Sequence, residues 1–520
     1  MDRMKQGFRQ SMAWLHTWGG LLCTWLLFAV FFAGSLSFYR EELTLWMQPE
    51  LHQAQRGGDD GLAAALAVLQ QRAPQARSWT IALPGPRDPV IEARWNHGKF
   101  DRKAVVVLDP ATGRALEPRE TVGGSFFRNF HFSLMLKRTG YWIVGMATLM
   151  MLVALITGVV IHKKIFKDFF TFRPGKSKPR AWLDVHNATG VMALPFLLTI
   201  TYSGLLTLAY VYMPAGMIAG GIDSERFLSE ISPRQEPPEA RSGKPATLTA
   251  LAPLLEQARR HWQGAAPGSV TIHHPGDIAA VIDVARRRGT GITARIEPVM
   301  RFDGVTGRLI AAQEQSAPGA VTYGAMYGLH VAWFAEPFLR GLLFVMGAMG
   351  CLVIASGAVV WGAKRREQHG ATHAAVGYRA AESLNVAGIA GMAVATAVLL
   401  WANRLLPAEL AERALAERQW FFGAWLLCLP HALLRPRVAA WREQLWLAAI
   451  LLALLPFAVR FSGGLSLPQA LLQGRGAVAG VELAALAFAA LLAWAGYRIA
   501  SVKPALPRAR PARPLPEAAA

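Results

Sequence analysis

The chain has 520 residues, of which 53% are hydrophobic and 17% charged, a balance on the membrane side of ordinary soluble proteins. Lys and Arg outnumber Asp and Glu by 54 to 34, but the basic residues cluster: Lys163, Lys164, Lys167, Arg173, Lys176, Lys178 and Arg180 share one short loop between apolar runs, and Lys364, Arg365 and Arg366 follow another. This is the positive-inside bias of a multi-pass membrane protein and argues against a nucleic-acid partner. Cys23, Cys351 and Cys428 all sit in apolar runs without Cys-x-x-Cys spacing, which supports neither an iron–sulfur cluster nor a disulfide framework.

A spanning helix needs about 20 mostly apolar residues. In chain order, candidate spans cover residues 12–39, 141–162, 182–213, 340–362, 384–406, 420–434, 445–459 and 481–500. The first is longer than the roughly 7–15 residues of a signal-peptide core and reads as a retained anchor. With the basic N-terminus in the cytoplasm, the loop 163–180, the segment 364–373 and the Pro/Arg-rich tail 503–520 share that side, the tail as disordered chain. The polar segments 40–138 and 214–337 then fall outside. Each has a helix-like stretch (62–72 and 248–262) followed by alternating, strand-like runs. Asp109-Pro110-Ala111-Thr112-Gly113-Arg114 in the first returns as Asp303-Gly304-Val305-Thr306-Gly307-Arg308 in the second.

The expected fold is therefore mainly α and integral to a membrane, with the N-terminus in the cytoplasm. Span one (1–39) leads into an outer α+β module (40–138), then spans two and three with their basic loop (139–213). A second such module (214–337) and span four (338–366) follow. About four further spans (367–502) precede the tail.

The duplication extends into the membrane. His16 to Gly34 and His186 to Gly204 are both eighteen positions, and Gly20 and Gly190 each lie four residues after their His; His131 to Gly158 and His330 to Gly357 are both twenty-seven. Helix, module, helix has been copied, one His per helix. Ionisable groups in or beside spanning helices are costly and mark function. Topology places His16 and His186 at the cytoplasmic ends of spans one and three, and His131 and His330 just before spans two and four, at the outer face. Facing imidazoles in a helical bundle are suited to axial ligation of haem iron, and a glycine one turn after His leaves room for a flat porphyrin. Two haems, one per leaflet, are the expected cofactors, with His16/His186 and His131/His330 as ligands. The competing reading makes these interfacial histidines that cap helix ends.

His162 is a fifth cofactor-binding candidate. It follows Gly158 by four residues, but Trp361 stands at the duplicate position. It either meets a haem propionate, assists electron entry, or begins the interfacial His-Lys-Lys run, and the last is favoured. His369/His373 have metal-compatible spacing in a charged loop, His273/His274 read as a surface pair with contact to iron or a chelate as the alternative, and His431 reads as helix packing or interface. His52, His97 and His261 form no pattern.

At these residues the chain resembles the PepSY-associated transmembrane helix family, which includes bacterial inner-membrane ferric-siderophore reductases. The resemblance rests on Trp14-Leu15-His16, the 157–176 segment from Thr157-Gly158 through His162-Lys163-Lys164 to Arg173-Pro174-Gly175-Lys176, Trp182 to His186-Asn187, Gly328-Leu329-His330, Ser356-Gly357 and Lys364-Arg365-Arg366. It covers about the first 366 residues. It implies four core helices, PepSY modules outside, b-type haem, and electron delivery to a periplasmic ferric chelate or siderophore. The family pattern often has another His shortly after the His131 position, where this chain has Met135. The helices after residue 384 lie outside it and read as a docking or quinone-facing bundle. No Gly-x-Gly-x-x-Gly follows a predicted strand, so the donor is a membrane quinol or a separate reductase. The expected activity is ferric reductase. A PepSY-type sensor or inhibitory binding protein, and a cytochrome b subunit of another oxidoreductase, are the alternatives.

Overall fold

The computed structural model describes residues 2–55, 60–97, 104–162, 178–231, 240–293, 297–313, 317–369 and 376–500. The loop 163–177, His373 and the tail lie outside them.

Four long helices form the core: α1 (Asp2–Ser37), then, after the short α2 (Arg40–Met47), α3 (Asp60–Arg72) and α4 (Ser125–Ser133), α5 (Lys137–Ile161) and α6 (Lys178–Thr207); α7 (Leu251–His261) and α8 (Pro318–Val331) precede α9 (Pro337–His369). Helices α1 and α6 each pack on both α5 and α9, so the four make a ring with α1 and α6 diagonally opposed. Apolar sequence is what makes them spans. Stretches Gly7–Ser37, Lys137–Ile161, Arg180–Thr207 and Pro337–Arg365 are long and apolar enough to cross a bilayer. Large side chains such as Trp142, Met146 and Ile156 on α5 remain exposed, as expected of a lipid-facing surface.

The two polar segments differ from the expectation of separate modules. Each supplies a helix and four strands, but all eight strands form one antiparallel sheet in the order β4-β3-β2-β1-β5-β6-β7-β8. Its strands, β1 to β8 in chain order, are Ser78–Ala82, Ile91–Asn96, Ala104–Leu108 and Ala115–Leu116 from the first segment, then Pro267–His273, Val281–Arg286, Val299–Asp303 and Leu309–Gln313 from the second. The joint is β1 to β5, with Trp79 opposite Ile272 and Ile81 opposite Val270. An exposed edge strand is a liability that pairing removes, so each half covers the other's first strand. Helices α3 and α7 close one face over a core containing Leu69, Ile81, Leu254, Ala258, Val270 and Phe302. The repeated turns return β3 to β4 and β7 to β8. Asp109 Oδ1 accepts the N–H groups of Ala111 and Thr112 at 3.0 Å, and Asp303 Oδ1 those of Val305 at 3.0 Å and Thr306 at 2.7 Å. Gly113 and Gly307 take positive φ, 66° and 72°, which only glycine adopts without steric cost. The sheet is tied to the bundle by Glu42, which accepts from Arg87 at 2.8 Å and from Arg340 at 2.7 Å.

The C-terminal region adds α10 (Val376–Asn385), continued through one π-turn into α11 (Gly391–Leu405), then α12 (Arg413–Leu434), α13 (Arg437–Leu454) and α14 (Gly476–Ala500). Three more stretches qualify as spans, Gly377–Leu405, Arg437–Ser462 and Gly476–Ile499, making seven among the described residues against the eight expected. The difference is α12, whose first turns carry Arg413, Glu417 and Arg418. Residues Arg413 and Glu417 are fully buried and paired with each other, and Asn403 Nδ2 donates to Glu417 at 2.8 Å. The charges are therefore interior, held against α11 where a hydropathy argument reads them as a break.

Candidate functional site

The structure gathers the four duplicated histidines into two pairs. His16 on α1 and His186 on α6 face one another across the ring at the bundle end away from the sheet, with ring centroids 6.3 Å apart and planes at 75°. His131 ends α4 and His330 ends α8; their centroids lie 5.9 Å apart with planes at 26°. Both short helices stop just after their His, at left-handed residues Leu134 (φ 49°) and Ala332 (φ 50°).

Each imidazole is fixed in the same way, by the helix beside it. His16 Nδ1 donates to the Ala154 carbonyl at 2.9 Å, His186 Nδ1 to Val353 at 2.8 Å, His131 Nδ1 to Val30 at 2.8 Å, and His330 Nδ1 to Ile200 at 3.1 Å. A carbonyl only accepts, so the proton is on Nδ1 and a neutral ring keeps its lone pair on Nε2. No protein partner engages Nε2 of these four among the described residues. A neutral imidazole is the form able to ligate a metal.

The accepting carbonyl is in every case four residues before a glycine of the spacing pattern, and the ring lies where that glycine has no side chain. A Cβ would stand 3.3 Å from His16 at Gly158, 3.2 Å from His186 at Gly357, 2.7 Å from His131 at Gly34 and 2.9 Å from His330 at Gly204. At three seats a hydroxyl precedes the glycine: Thr157, Ser356 and Ser203 lie 3.3 Å from Nδ1 of His16, His186 and His330 respectively. Each of those hydroxyls gives its own proton to a carbonyl of its helix, leaving a lone pair for the imidazole N–H. The eighteen- and twenty-seven-residue spacings thus cross-link the helices. Gly34, carried with His16, seats His131, and Gly158, carried with His131, seats His16. The glycines one turn after His16 and His186 are open: a Cβ at Gly20 meets nothing within 4 Å, and one at Gly190 only Val353, at 4.0 Å.

Of the remaining candidates, His162 caps the end of α5, its Nδ1 buried and without a hydrogen-bond partner among the described residues, and it joins neither pair. His273 bonds Asp283 at 3.2 Å. His274, expected at the surface, is buried. His431 bonds Glu443 at 2.9 Å, in keeping with packing. Sequence reasoning missed His52, which donates from Nε2 to Leu45 at 3.0 Å and accepts the Leu465 N–H on Nδ1 at 3.2 Å. That bridge joins the start of the first polar segment to the C-terminal bundle, and no periodicity announces it. Among the described residues no group of three or more His, Cys, Asp or Glu side chains is placed to hold a metal ion, so each pair is a two-donor set.

The model of the PepSY-associated TM region matches residues 13–364, the stretch that contains all four histidines, their glycine seats and the sheet. The chain belongs to that family. Its PepSY_TM match ends at α9, so the C-terminal helices are an addition beyond it. A relative, the uncharacterized protein PA4219 of Pseudomonas aeruginosa, is 29% identical over 395 residues, which cover 73% of this chain and 96% of that protein.

Proposed function

We propose that this PepSY_TM protein is a bacterial inner-membrane electron carrier, N-terminus in the cytoplasm, that holds two b-type haems and passes electrons to a ferric chelate on the side of the sheet. The observation that carries the reading is the four imidazoles. Each is fixed through Nδ1 to a neighbouring helix, each has Nε2 bare, and they form two facing pairs.

The residues fit the group. Two metal–imidazole bonds of about 2.0–2.1 Å, with about 1.1 Å more from each nitrogen to its ring centre, ask for centroids about 6.3 Å apart. The pairs measure 6.3 and 5.9 Å. A hydrogen-bonded Nδ1 is the usual outer partner of a ligating His and fixes both tautomer and orientation. His16 and His186 would hold one haem, His131 and His330 the other, and the open faces at Gly20 and Gly190 leave space beside the first. Haem iron between two imidazoles supplies a one-electron ferric/ferrous couple.

The helix spacing supports two sites at different depths. Val30, which anchors His131, lies fourteen residues after His16 on α1, and Ile200, which anchors His330, lies fourteen after His186 on α6. At 1.5 Å per residue both intervals are about 21 Å, so within a roughly 30 Å hydrocarbon core the pairs belong to opposite leaflets. Buried apolar packing around them, including Leu27, Phe28, Leu155 and Leu197, excludes water between the sites. Positive-inside bias puts the His16/His186 end in the cytoplasm and the sheet in the periplasm. A ferric ion bound by hard oxygen donors is held less tightly once reduced, and this makes reduction a means of release.

The test is visible spectroscopy of purified protein with stopped-flow reoxidation. Reducible b-type Soret and α bands that are reoxidised by ferric chelates support the function. A chain without those bands, or one reduced chemically that no ferric chelate reoxidises, refutes it.

A further inference from the structure

We propose that the C-terminal helices brace one half of the outer histidine pair, with Phe421 and Glu417 as positioning residues that hold α4, and so His131, in place; the part that concerns haem rests on the reading above. These helices lie beyond the family match, which ends at residue 364. Their aromatic and polar contacts nevertheless converge on the first outer segment and on the short helix that carries His131.

The need is visible in α4 itself. It has nine residues, below the roughly 12–15 at which an isolated helix is marginal. No side chain caps its N-terminus, and it stops at left-handed Leu134. Its support is lateral. Phe126, Phe127 and Phe130 are buried, and Phe421 of α12 meets Phe126 edge-on with centroids 4.8 Å apart and Phe130 at 6.0 Å. Phe422 and Trp425 each stand 5.9 Å from Phe130, the residue before His131. Edge-to-face rings constrain orientation as well as burying area. The duplicate helix shows that this face belongs to this neighbour. Counted back from His330, α8 has Ala325, Met326 and Leu329 where α4 has Phe126, Phe127 and Phe130, so the two copies share the histidine and not the aromatic face.

The loop that enters α4 is gripped by the same helix. Glu417 Oε2 accepts the Thr121 hydroxyl at 2.8 Å and the Val122 N–H at 2.9 Å, and Arg413 donates to the Glu120 carbonyl at 2.9 Å. Both charges are fully buried and paired. Such a pair adds little net stability over apolar residues of similar volume, and what its directed bonds supply here is position. Helix α11 extends the grip to α2, where Asn403 Nδ2 donates to the Met47 carbonyl at 3.1 Å and Arg404 to that of Trp46 at 2.8 Å. Each of these ties ends on the first outer segment. His131 is therefore fixed by the Val30 carbonyl and the Gly34 seat on α1 and, through α4, by the aromatic wall of α12.

The test uses the full-length protein, read by hydrogen exchange and by electron paramagnetic resonance of the oxidised form. Phe421→Ala should lower the protection of residues 125–133 by about ten-fold or more and leave that of 318–331 within about two-fold. It should also move the low-spin signal that His330→Ala removes, and leave unmoved the one that His186→Ala removes. Leu445→Ala opens a cavity in the same bundle, where Leu445 faces Gly496 of α14, and should change neither helix nor either signal. Thr121→Val is milder: it keeps the side-chain shape, loses one bond to Glu417, and should loosen the start of α4 by about three-fold or more. Equal loosening of both helices overturns the brace. So does an outer signal that Leu445→Ala moves as far as Phe421→Ala, or Phe421→Ala and Thr121→Val proteins indistinguishable from the parent. Exchange needs no haem. A colourless protein in which Phe421→Ala loosens 125–133 alone keeps the brace on α4 and refutes the electron carrier, whereas a haem-bearing protein whose outer signal stays unmoved refutes the brace alone.

Discussion

Gly20→Ala separates a bound macrocycle from mere helix packing. In the protein alone the added methyl meets nothing within 4 Å, and replacing an interior helical glycine by alanine gains about 0.5–1 kcal/mol. The variant should thus fold at least as well as the parent. With a porphyrin lying on the face of α1 that carries His16, one turn away, the same methyl intrudes on it, and overpacking of a filled site costs about 1–3 kcal/mol. That corresponds to an about five- to 150-fold weaker hold on one haem. Haem content by pyridine haemochrome reads the first effect, and thermal unfolding of haem-free preparations of variant and parent reads the second, because bound haem itself raises the unfolding midpoint. The expected result is an undiminished midpoint between the haem-free proteins with the His16/His186 haem of the loaded variant depleted or weakened. A Gly20→Ala protein with its full haem complement and unaltered affinity would refute the placement of a porphyrin against that glycine.

The seats of the imidazoles give graded outcomes. Gly34→Ala and Gly204→Ala, whose methyls would lie 2.7 and 2.9 Å from ring atoms, should lose the sheet-end haem and about 1–3 kcal/mol of stability. Gly158→Ala and Gly357→Ala, at 3.3 and 3.2 Å, should weaken the other site less; equal effects at all four would contradict the geometry. His52 is buried and neutral, its imidazole lowered from 6.5 to about 4 by burial and then by Arg404. Its contribution is present above about pH 6.5 and is lost as pH falls toward 4, on the order of 3 kcal/mol. Protection factors around Leu465, each referred to the intrinsic exchange rate at that pH, should therefore fall between pH 7 and 4.5 in the parent and lose that pH dependence in His52→Asn. Glu417→Ala strands the buried Arg413 guanidinium and should cost about 3–5 kcal/mol in chemical unfolding, largely recovered by Arg413→Met together with Glu417→Leu.

The core was legible because its constraints are local. Uninterrupted apolar runs fix the spans, and duplication repeats His16 and Gly34 as His186 and Gly204 at an invariant offset. The role of those glycines was not legible. Offsets along one helix do not reveal that Gly34 receives an imidazole from α4, since the contact is set by which helices are neighbours in the ring. The fused sheet escaped for a similar reason: strand β1 has the same alternation whether its partner is β2 alone or β5 as well. Helix α12 fell short as a span because Arg413 and Glu417 satisfy each other inside the protein, and composition counts them as exposed charges. His52 escaped because half of its bridge is tertiary: its second partner, Leu465, lies more than 400 positions away.

Electron paramagnetic resonance of the oxidised, purified protein tests the two-pair arrangement most directly. Ring planes near perpendicular at His16/His186 and near parallel at His131/His330 predict two low-spin ferric signals, one strongly anisotropic and one rhombic. His186→Ala should remove only the first and His330→Ala only the second. A high-spin signal as the main species, a single low-spin signal, or variants that leave both signals in place would contradict ligation by these four imidazoles.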